Sequence, residues 1–205
     1  MNCDRIAKLY RWLEYGAFGR ALMRRRERFL PEVFGSKKAL VLGDGDGRFV
    51  AKLVRSNPEV AVECIDLSGR MLALAERRAG SKRVHFRHEN ALLAPLRGHF
   101  DLVSTHFFLD CLSDSETESL VHRVARQCAP GARWVISEFR DSRPWQKAYV
   151  AGLYSFFGLT TGLKTRRLPN YRRVLRSQGF TLVEEEQAAF GLLVSELWVM
   201  QTQPL

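Results

Sequence analysis

Long uncharged stretches are scarce in this chain. The longest, residues 148–163 between Lys147 and Lys164, contains Gly152, Gly158 and Gly162. It falls short of the roughly 20 apolar residues that span a bilayer. Asp4 and Arg5 stand at the start with no apolar segment after them, so no secretory leader is read and a cytoplasmic protein is expected. Cysteine is sparse: Cys3, Cys64, Cys111 and Cys128 lie far apart with no CxxC pair. That spacing excludes a zinc knuckle and a disulfide framework and points to a reducing compartment. His85, His88, His99 and His122 show no metal-ligand spacing, and no metal is expected. With 15 Gly and 7 Pro the chain is not low-complexity, and 46% hydrophobic residues are too many for disorder.

What is there suits one globular domain of 205 residues. The charge is lopsided, with 32 Lys+Arg against 22 Asp+Glu for a net +10. So basic a surface attracts nucleic acid, anionic membrane or acidic small molecules. No RRM, KH, zinc-finger or helix-turn-helix pattern accompanies it. The arginines at 24, 25, 26, 28, 166, 167, 172, 173 and 176 read as a solvated face.

Along the chain, strand-like and helical runs alternate. Residues 1–35 carry Ile6, Leu9, Leu13, Phe18, Leu22 and Phe29 near helical spacing, stopped by Pro31. The apolar run 39–42 breaks into Gly43-Asp44-Gly45-Asp46-Gly47, and Phe49, Val50, Leu53 and Val54 then keep helical spacing. A second strand over 60–65 ends at Asp66, and Ser68 is an N-cap for the next helix. A third strand starts at 84–86 and ends near Asn90, and a fourth covers 100–105. A helix over 115–128 leads to Pro130-Gly131, and a fifth strand covers 134–139. Such alternation means βαβ units and a mainly parallel sheet. The tail holds an aromatic helix over 145–163 and a basic helix over 169–177. Two strand-like runs, 180–186 and 192–200, are separated by Gly191 and read as an antiparallel hairpin. The chain therefore divides into a helical cap (1–35), a core (36–140), a helical insert (141–178) and a terminal hairpin (179–205).

Gly43-x-Gly45-x-Gly47 lies where a strand meets a helix. Glycines there let the backbone approach a ligand, and the helix N-terminus offers free N–H groups. Position 48 is Arg48, so the third glycine of the dinucleotide fingerprint is missing. Gly-Lys-Ser/Thr is absent as well, and Asp44 and Asp46 would repel a pyrophosphate while tolerating a cationic ligand. Asp66 ends the second strand, at the carboxyl edge where open parallel sheets bind ligands. An acid there can accept both hydroxyls of a ribose; the alternative is a solvated cap of the next helix.

These residues resemble those of a known family. The run 40–49, Leu-Val-Leu-Gly-Asp-Gly-Asp-Gly-Arg-Phe, is similar to the glycine motif of class I S-adenosylmethionine-dependent methyltransferases of the type 11/12 kind. Ile65-Asp66-Leu67-Ser68-Gly69-Arg70-Met71-Leu72 resembles their acidic loop. Asn90-Ala91 is similar to the pair after the third strand, 100–103 to the fourth-strand motif, and Pro130-Gly131 to the turn before the fifth strand. The resemblance runs in order over about 39–139. It implies a Rossmann-like, doubly wound α/β sheet of seven strands in the order 3-2-1-4-5-7-6, the last antiparallel. It implies S-adenosylmethionine as cofactor, held by Gly43, Asp44, Gly45, Gly47, Asp66, Leu67, Met71, Asn90, Ala91 and His106, with Tyr10 folding over the donor. The family's acid two residues before the first glycine is replaced by Val41, which leaves the methionine amino group without its usual contact unless Asp44 substitutes. Residues 154–171 are more loosely similar to quinone-biosynthesis C-methyltransferases.

Methyl transfer from a sulfonium is a direct displacement, so positioning in a dry site dominates and a general base is optional. His106 and Asp110 after the fourth strand, then Glu138 ending the fifth, are the candidates for that base; the alternative for each is packing or hydrogen bonding. The expected acceptor is a small apolar or aromatic molecule. Tyr10, Trp12, Tyr15, Tyr149, Tyr154, Phe156 and Phe157 are candidates to roof its pocket, or to pack as ordinary core. The 148–163 run can alternatively rest on a membrane surface, with flanking arginines meeting anionic lipid. An RNA methyltransferase or binder, and an inactive cofactor-binding protein, are the other classes left open.

Overall fold

In a computed structural model, residues 20–163 and 165–201 are described; Tyr10, Trp12, Tyr15 and Cys3 lie outside them. The described part of the N-terminal stretch holds a short helix α1 (Ala21–Glu27) and a 3-10 turn at Pro31–Val33, where proline both stops one helix and opens the next turn. The core then alternates: β1 (Lys38–Leu42), α2 (Arg48–Ser56), β2 (Ala61–Asp66), α3 (Gly69–Ala79), β3 (Val84–His88), β4 (Phe100–His106), α4 (Asp114–Ala125) and β5 (Cys128–Phe139). The tail adds α5 (Pro144–Thr161), α6 (Tyr171–Ser177), β6 (Phe180–Ala188) and β7 (Leu193–Met200).

The seven strands lie in the order β3-β2-β1-β4-β5-β7-β6. β1 pairs parallel with β2 and β4, β2 with β3, and β4 with β5. β7 runs antiparallel to both β5 and β6. The reversal at β7 follows from the tight connection over Ala189–Gly191, too short for anything but a hairpin. Side chains alternate across the sheet. Ala39 and Val41 join a core with α2 and α3, while Leu40 and Leu42 join Trp134, Phe180 and Trp198 in a second core with α4 and α6. Both faces of β1 are therefore buried, which is why 39–42 reads as a continuous apolar run rather than an alternation.

Three expectations need correction. The fifth strand begins at Cys128, six residues before Trp134. Pro130-Gly131 lies inside it as a bulge, where pairing jumps from Phe100↔Cys128 to Leu102↔Arg133; Gly131 at φ 76° supplies the kink. The basic helix spans only Tyr171–Ser177, opening at an N-cap, Asn170, rather than at Pro169. The first arginine run is not a solvated face. Arg25 and Arg26 are buried, Arg25 and Arg28 pair with Glu186, and Arg28 also reaches Glu184 and Glu32. The Arg25 carbonyl accepts from the hydroxyls of Ser137 (2.9 Å) and Ser195 (3.0 Å). These arginines fasten α1 to the antiparallel edge of the sheet.

Candidate cofactor and acceptor site

A cavity opens at the carboxyl edge of the sheet, where β1 and β4 carry the chain to opposite faces. It is lined by Gly43, Gly45, Ile65, Asp66, Leu67, Met71, Asn90, Ala91, Leu92, Phe107, Phe108, Cys111, Leu112 and Glu116. Of the residues expected to hold a cofactor, Gly43, Gly45, Asp66, Leu67, Met71, Asn90 and Ala91 come together on its wall. Asp44, Gly47 and His106 do not.

The glycine loop is shaped by its backbone. Gly43, Gly45 and Gly47 all have positive φ, a region that costs other residues energy. A Cβ on Gly45 would meet nothing within 4 Å, so its bare backbone faces open space. A Cβ on Gly47 would lie 2.4 Å from the Cα of Ala75, so that glycine exists to bring the loop against α3. Gly43 is covered by the Phe108 ring, whose Cδ2 would stand 2.2 Å from a Cβ there.

The two aspartates of the loop face away from the cavity. The Asp44 carboxylate accepts from the backbone N–H groups of Phe49 (3.3 Å) and Val50 (2.9 Å) at the start of α2, the position an acid favours against the helix dipole. Burial pushes its pKa up to about 7, against the pull of those amides. Asp46 pairs with Arg48 and Arg78. Asp44 is thus spent on the fold, and Val41 is buried among α2 and α3 side chains.

Asp66 stands at the opposite wall. Its Oδ2 accepts from the Gly45 amide (3.3 Å) and its Oδ1 from the Ser68 amide (2.8 Å). The acid therefore ties the glycine loop to the start of α3, which Ser68 caps by accepting from the Met71 amide. Asn90 shapes the next turn, its Oδ1 accepting from the Leu92 amide (3.0 Å). Arg123 on α4, which sequence reading missed, completes it. Its guanidinium donates to the carbonyls of Ala91 (3.1 Å), Leu92 and Ala94. Nothing local marks Arg123, because its targets lie about thirty residues earlier.

The turn after β4 forms the far wall. Phe107 has φ 54°, unusual for a bulky residue. Its amide donates to the Ser137 carbonyl (2.7 Å), and the Arg26 guanidinium lies 5.2 Å over its ring. His106 is buried beneath this turn. Nδ1 meets the Ser137 hydroxyl (3.0 Å), Nε2 is without a partner, and the ring packs edge-on against Phe49. Burial, reinforced by Arg26, lowers its pKa to about 3. An imidazole so held is a poor proton acceptor near neutral pH. Glu138 and Asp110 lie behind the same turn. Tyr154 of α5 donates from its hydroxyl to the Asp110 carbonyl (2.9 Å). Tyr149 and Phe156 sit on the outer side of α5, half-exposed, and none of these three lines the cavity. Among the described residues, no group of three or more His, Cys, Asp or Glu is placed to hold a metal, and no helix is long and apolar enough to cross a membrane.

A glycine loop after β1, an acid ending β2 and a sheet reversed only at β7 define the class I methyltransferase fold. Residues 39–131, a little under half of the chain, match the family described as methyltransferase domain. No curated protein matches the chain in sequence. Solved structures are similar in fold. N-methyltransferase NodS from Bradyrhizobium japonicum, in complex with S-adenosylhomocysteine, is 17% identical with TM-score 0.69, covering 97% of this chain and 100% of that one. Magnesium protoporphyrin IX methyltransferase from Synechocystis, with bound S-adenosylhomocysteine, is 16% identical with TM-score 0.62, over 95% and 100%. A putative O-methyltransferase from Nostoc punctiforme has TM-score 0.71 at 15% identity; 95% of this chain covers 58% of that one.

Proposed function

We propose that this S-adenosylmethionine-dependent methyltransferase acts on a small molecule with an apolar or aromatic body. The observation that carries the reading is the single cavity wall shared by Gly43, Gly45, Asp66, Asn90 and Ala91 with Phe107, Phe108 and Leu112. The first group suits an adenosine and its ribose; the second offers aromatic and aliphatic surface beside it.

The cofactor, when bound, supplies an activated methyl on a sulfonium. The chain's own residues bind, orient and keep water out. Gly45 leaves room for close approach, and Asp66 presents carboxylate oxygens fixed by two amides, suited to ribose hydroxyls. Asn90 and Ala91, braced by Arg123, form the far end of that wall. Phe107 and Phe108 close the cavity on the side where an acceptor enters. The likeness to magnesium protoporphyrin IX methyltransferase favours a small acceptor over nucleic acid. So does the arginine placement: Arg25, Arg28, Arg87, Arg123, Arg140 and Arg172 are engaged within the fold and do not gather into a free basic face.

Isothermal calorimetry with S-adenosylmethionine and S-adenosylhomocysteine tests this reading. Saturable heat with both is expected. Absence of heat and of thermal stabilisation at millimolar ligand would contradict it. Steeply salt-dependent RNA binding would favour the nucleic-acid reading instead.

A further inference from the structure

Helix α5 carries a single charged side chain, Lys147. Its inner arc, Val150 and Tyr154, packs on Leu192 with Phe139, Leu163 and Leu168. Trp145, Tyr149, Gly152, Phe156 and Leu159 recur four and three residues apart, so they form one stripe along the helix, and all five are exposed. A helix apolar on every side is ordinarily enclosed by protein or set against lipid. Here the described residues enclose only the inner arc, and Leu159 is 88% exposed on the other. The terminal hairpin adds a second apolar point. Ala189 and Phe190 hold φ of 49° and 55°, a region that costs side-chain-bearing residues energy. The turn they make presents a phenyl ring that is likewise 88% exposed. It stands beside the first turn of α5, where Gln146 Nε2 donates to the Phe190 carbonyl (3.3 Å).

Charge decides what meets this surface. Residues 142–183 hold eight Lys and Arg and no Asp or Glu. Arg143 and Lys147 are exposed at the start of α5, and Arg166, Arg173 and Arg176 are exposed beyond its end. Arg167 pairs with Asp114, and Arg172 with Glu185 and Glu196. Apolar and aromatic side chains flanked by cations suit an anionic bilayer, where rings enter the headgroup boundary and cations meet lipid phosphate. A second copy fits poorly, because a two-fold contact uses the same patch twice and sets like charges together. Residues 1–19, with Arg5, Lys8 and Arg11 against Asp4 and Glu14, bring no net negative charge. RNA would answer the cations and leave the stripe in water.

We propose that the outer face of α5, with Phe190, is a docking surface for an anionic lipid bilayer, along which the helix lies flat rather than crossing. At 18 residues α5 is about 27 Å long. Its inner arc is tied to the cavity: Tyr154 donates to the Asp110 carbonyl, one residue from Cys111 in the cavity wall. Lipid binding at this face does not depend on methyl transfer and is measured without it.

Co-sedimentation of the full chain with vesicles tests this. Binding is expected to vesicles of phosphatidylcholine mixed with phosphatidylglycerol, weakening as salt rises, and little to phosphatidylcholine alone. Leu159→Ser and Phe190→Ser should each weaken it about tenfold, and Lys147→Ala about fivefold, with melting temperatures unchanged. Leu93→Ser, at a side chain also exposed but after β3 at the opposite edge of the sheet, should bind as the wild type does. No binding to the mixed vesicles would overturn the proposal. So would binding that Leu159→Ser and Phe190→Ser leave unaltered, the mark of a purely electrostatic contact such as RNA makes. A lipid-free dimer that Leu159→Ser dissolves would assign the face to a second copy. Vesicle binding that arises only when residues 1–19 are removed would assign it to that segment. Either of these outcomes also overturns the proposal.

Discussion

The two walls of the cavity are built differently. The cofactor wall, from the loops after β1, β2 and β3, is shaped largely by bonds short in sequence: Asp44 caps α2 five and six residues on, and Ser68 caps α3 three residues on; Arg123 and the Asp66–Gly45 bond are its longer-range ties. The acceptor wall is made across the chain: Glu138 holds Phe108 thirty residues away, and Tyr154 holds Asp110 forty-four residues away. Local turn chemistry leaves a pattern of glycines, acids and caps. Long-range hydrogen bonds leave none.

Substitutions on each wall sharpen the contrast. The largest effect is expected from Gly47→Ala, which combines a positive φ with a backbone 2.4 Å away. It should cost roughly 2–4 kcal/mol of stability by urea denaturation. An effect under about 1 kcal/mol would mean that the loop and α3 are not in contact. Asp66→Ala should weaken S-adenosylhomocysteine binding by about 1–3 kcal/mol, the cost of unpairing hydroxyls from a carboxylate, and should also lower the melting temperature, because the Gly45 and Ser68 amides lose their acceptor. Arg123→Met removes donors from three carbonyls. It should weaken adenosine and S-adenosylhomocysteine equally, by about 1–2 kcal/mol, because the loop it braces holds only the adenosine end. Calorimetry with both ligands checks this.

The pH dependence comes next. Asp44 titrates near 3.8 when unfolded and near 7 when folded, so the folded state binds more protons between those values. Its contribution to stability is present at low pH and falls as pH rises toward 7. The stability of the wild type relative to Asp44→Asn should therefore decline over that window. His106 acts oppositely, its stabilising neutral form being lost as pH falls from 6.5 toward 3, and it cancels in this difference. The smallest effect belongs to Arg167→Ala. That arginine is 80% exposed on its partner Asp114, and its loss should change stability by under ~0.5 kcal/mol.

Much of the fold was legible because period and punctuation agree. The run 39–42, the glycines after it and the acid at 66 identify strand, turn and strand end without tertiary knowledge. The hairpin was legible from Gly191 between two apolar runs. The start of β5 was not: a Pro-Gly pair that usually ends a segment here makes a bulge within one. The arginines at 25 and 26 were misread because burial of a guanidinium depends on Glu186 for Arg25 and on the Phe107 ring for Arg26, both far along the chain. The candidate site divides in the same way. Residues of the glycine loop, the acidic loop and Asn90-Ala91 stand together in space as their order suggests. Asp44 and His106 match in position but turn their side chains into the fold. Arg123 carries no local signal at all. The aromatic residues of α5 showed composition without direction: Tyr154 points inward to Asp110, while Leu159, 88% exposed, points outward.

The central claim is that one cavity, walled by Gly43, Gly45, Asp66 and Asn90, holds the methyl donor. Diffraction from crystals grown with S-adenosylhomocysteine tests it most directly. The account predicts the ribose hydroxyls on the Asp66 carboxylate, the adenine at Asn90-Ala91 and the sulfur toward Phe107 and Phe108. Ligand density elsewhere on the chain, or a ribose that makes no contact with Asp66, would contradict it.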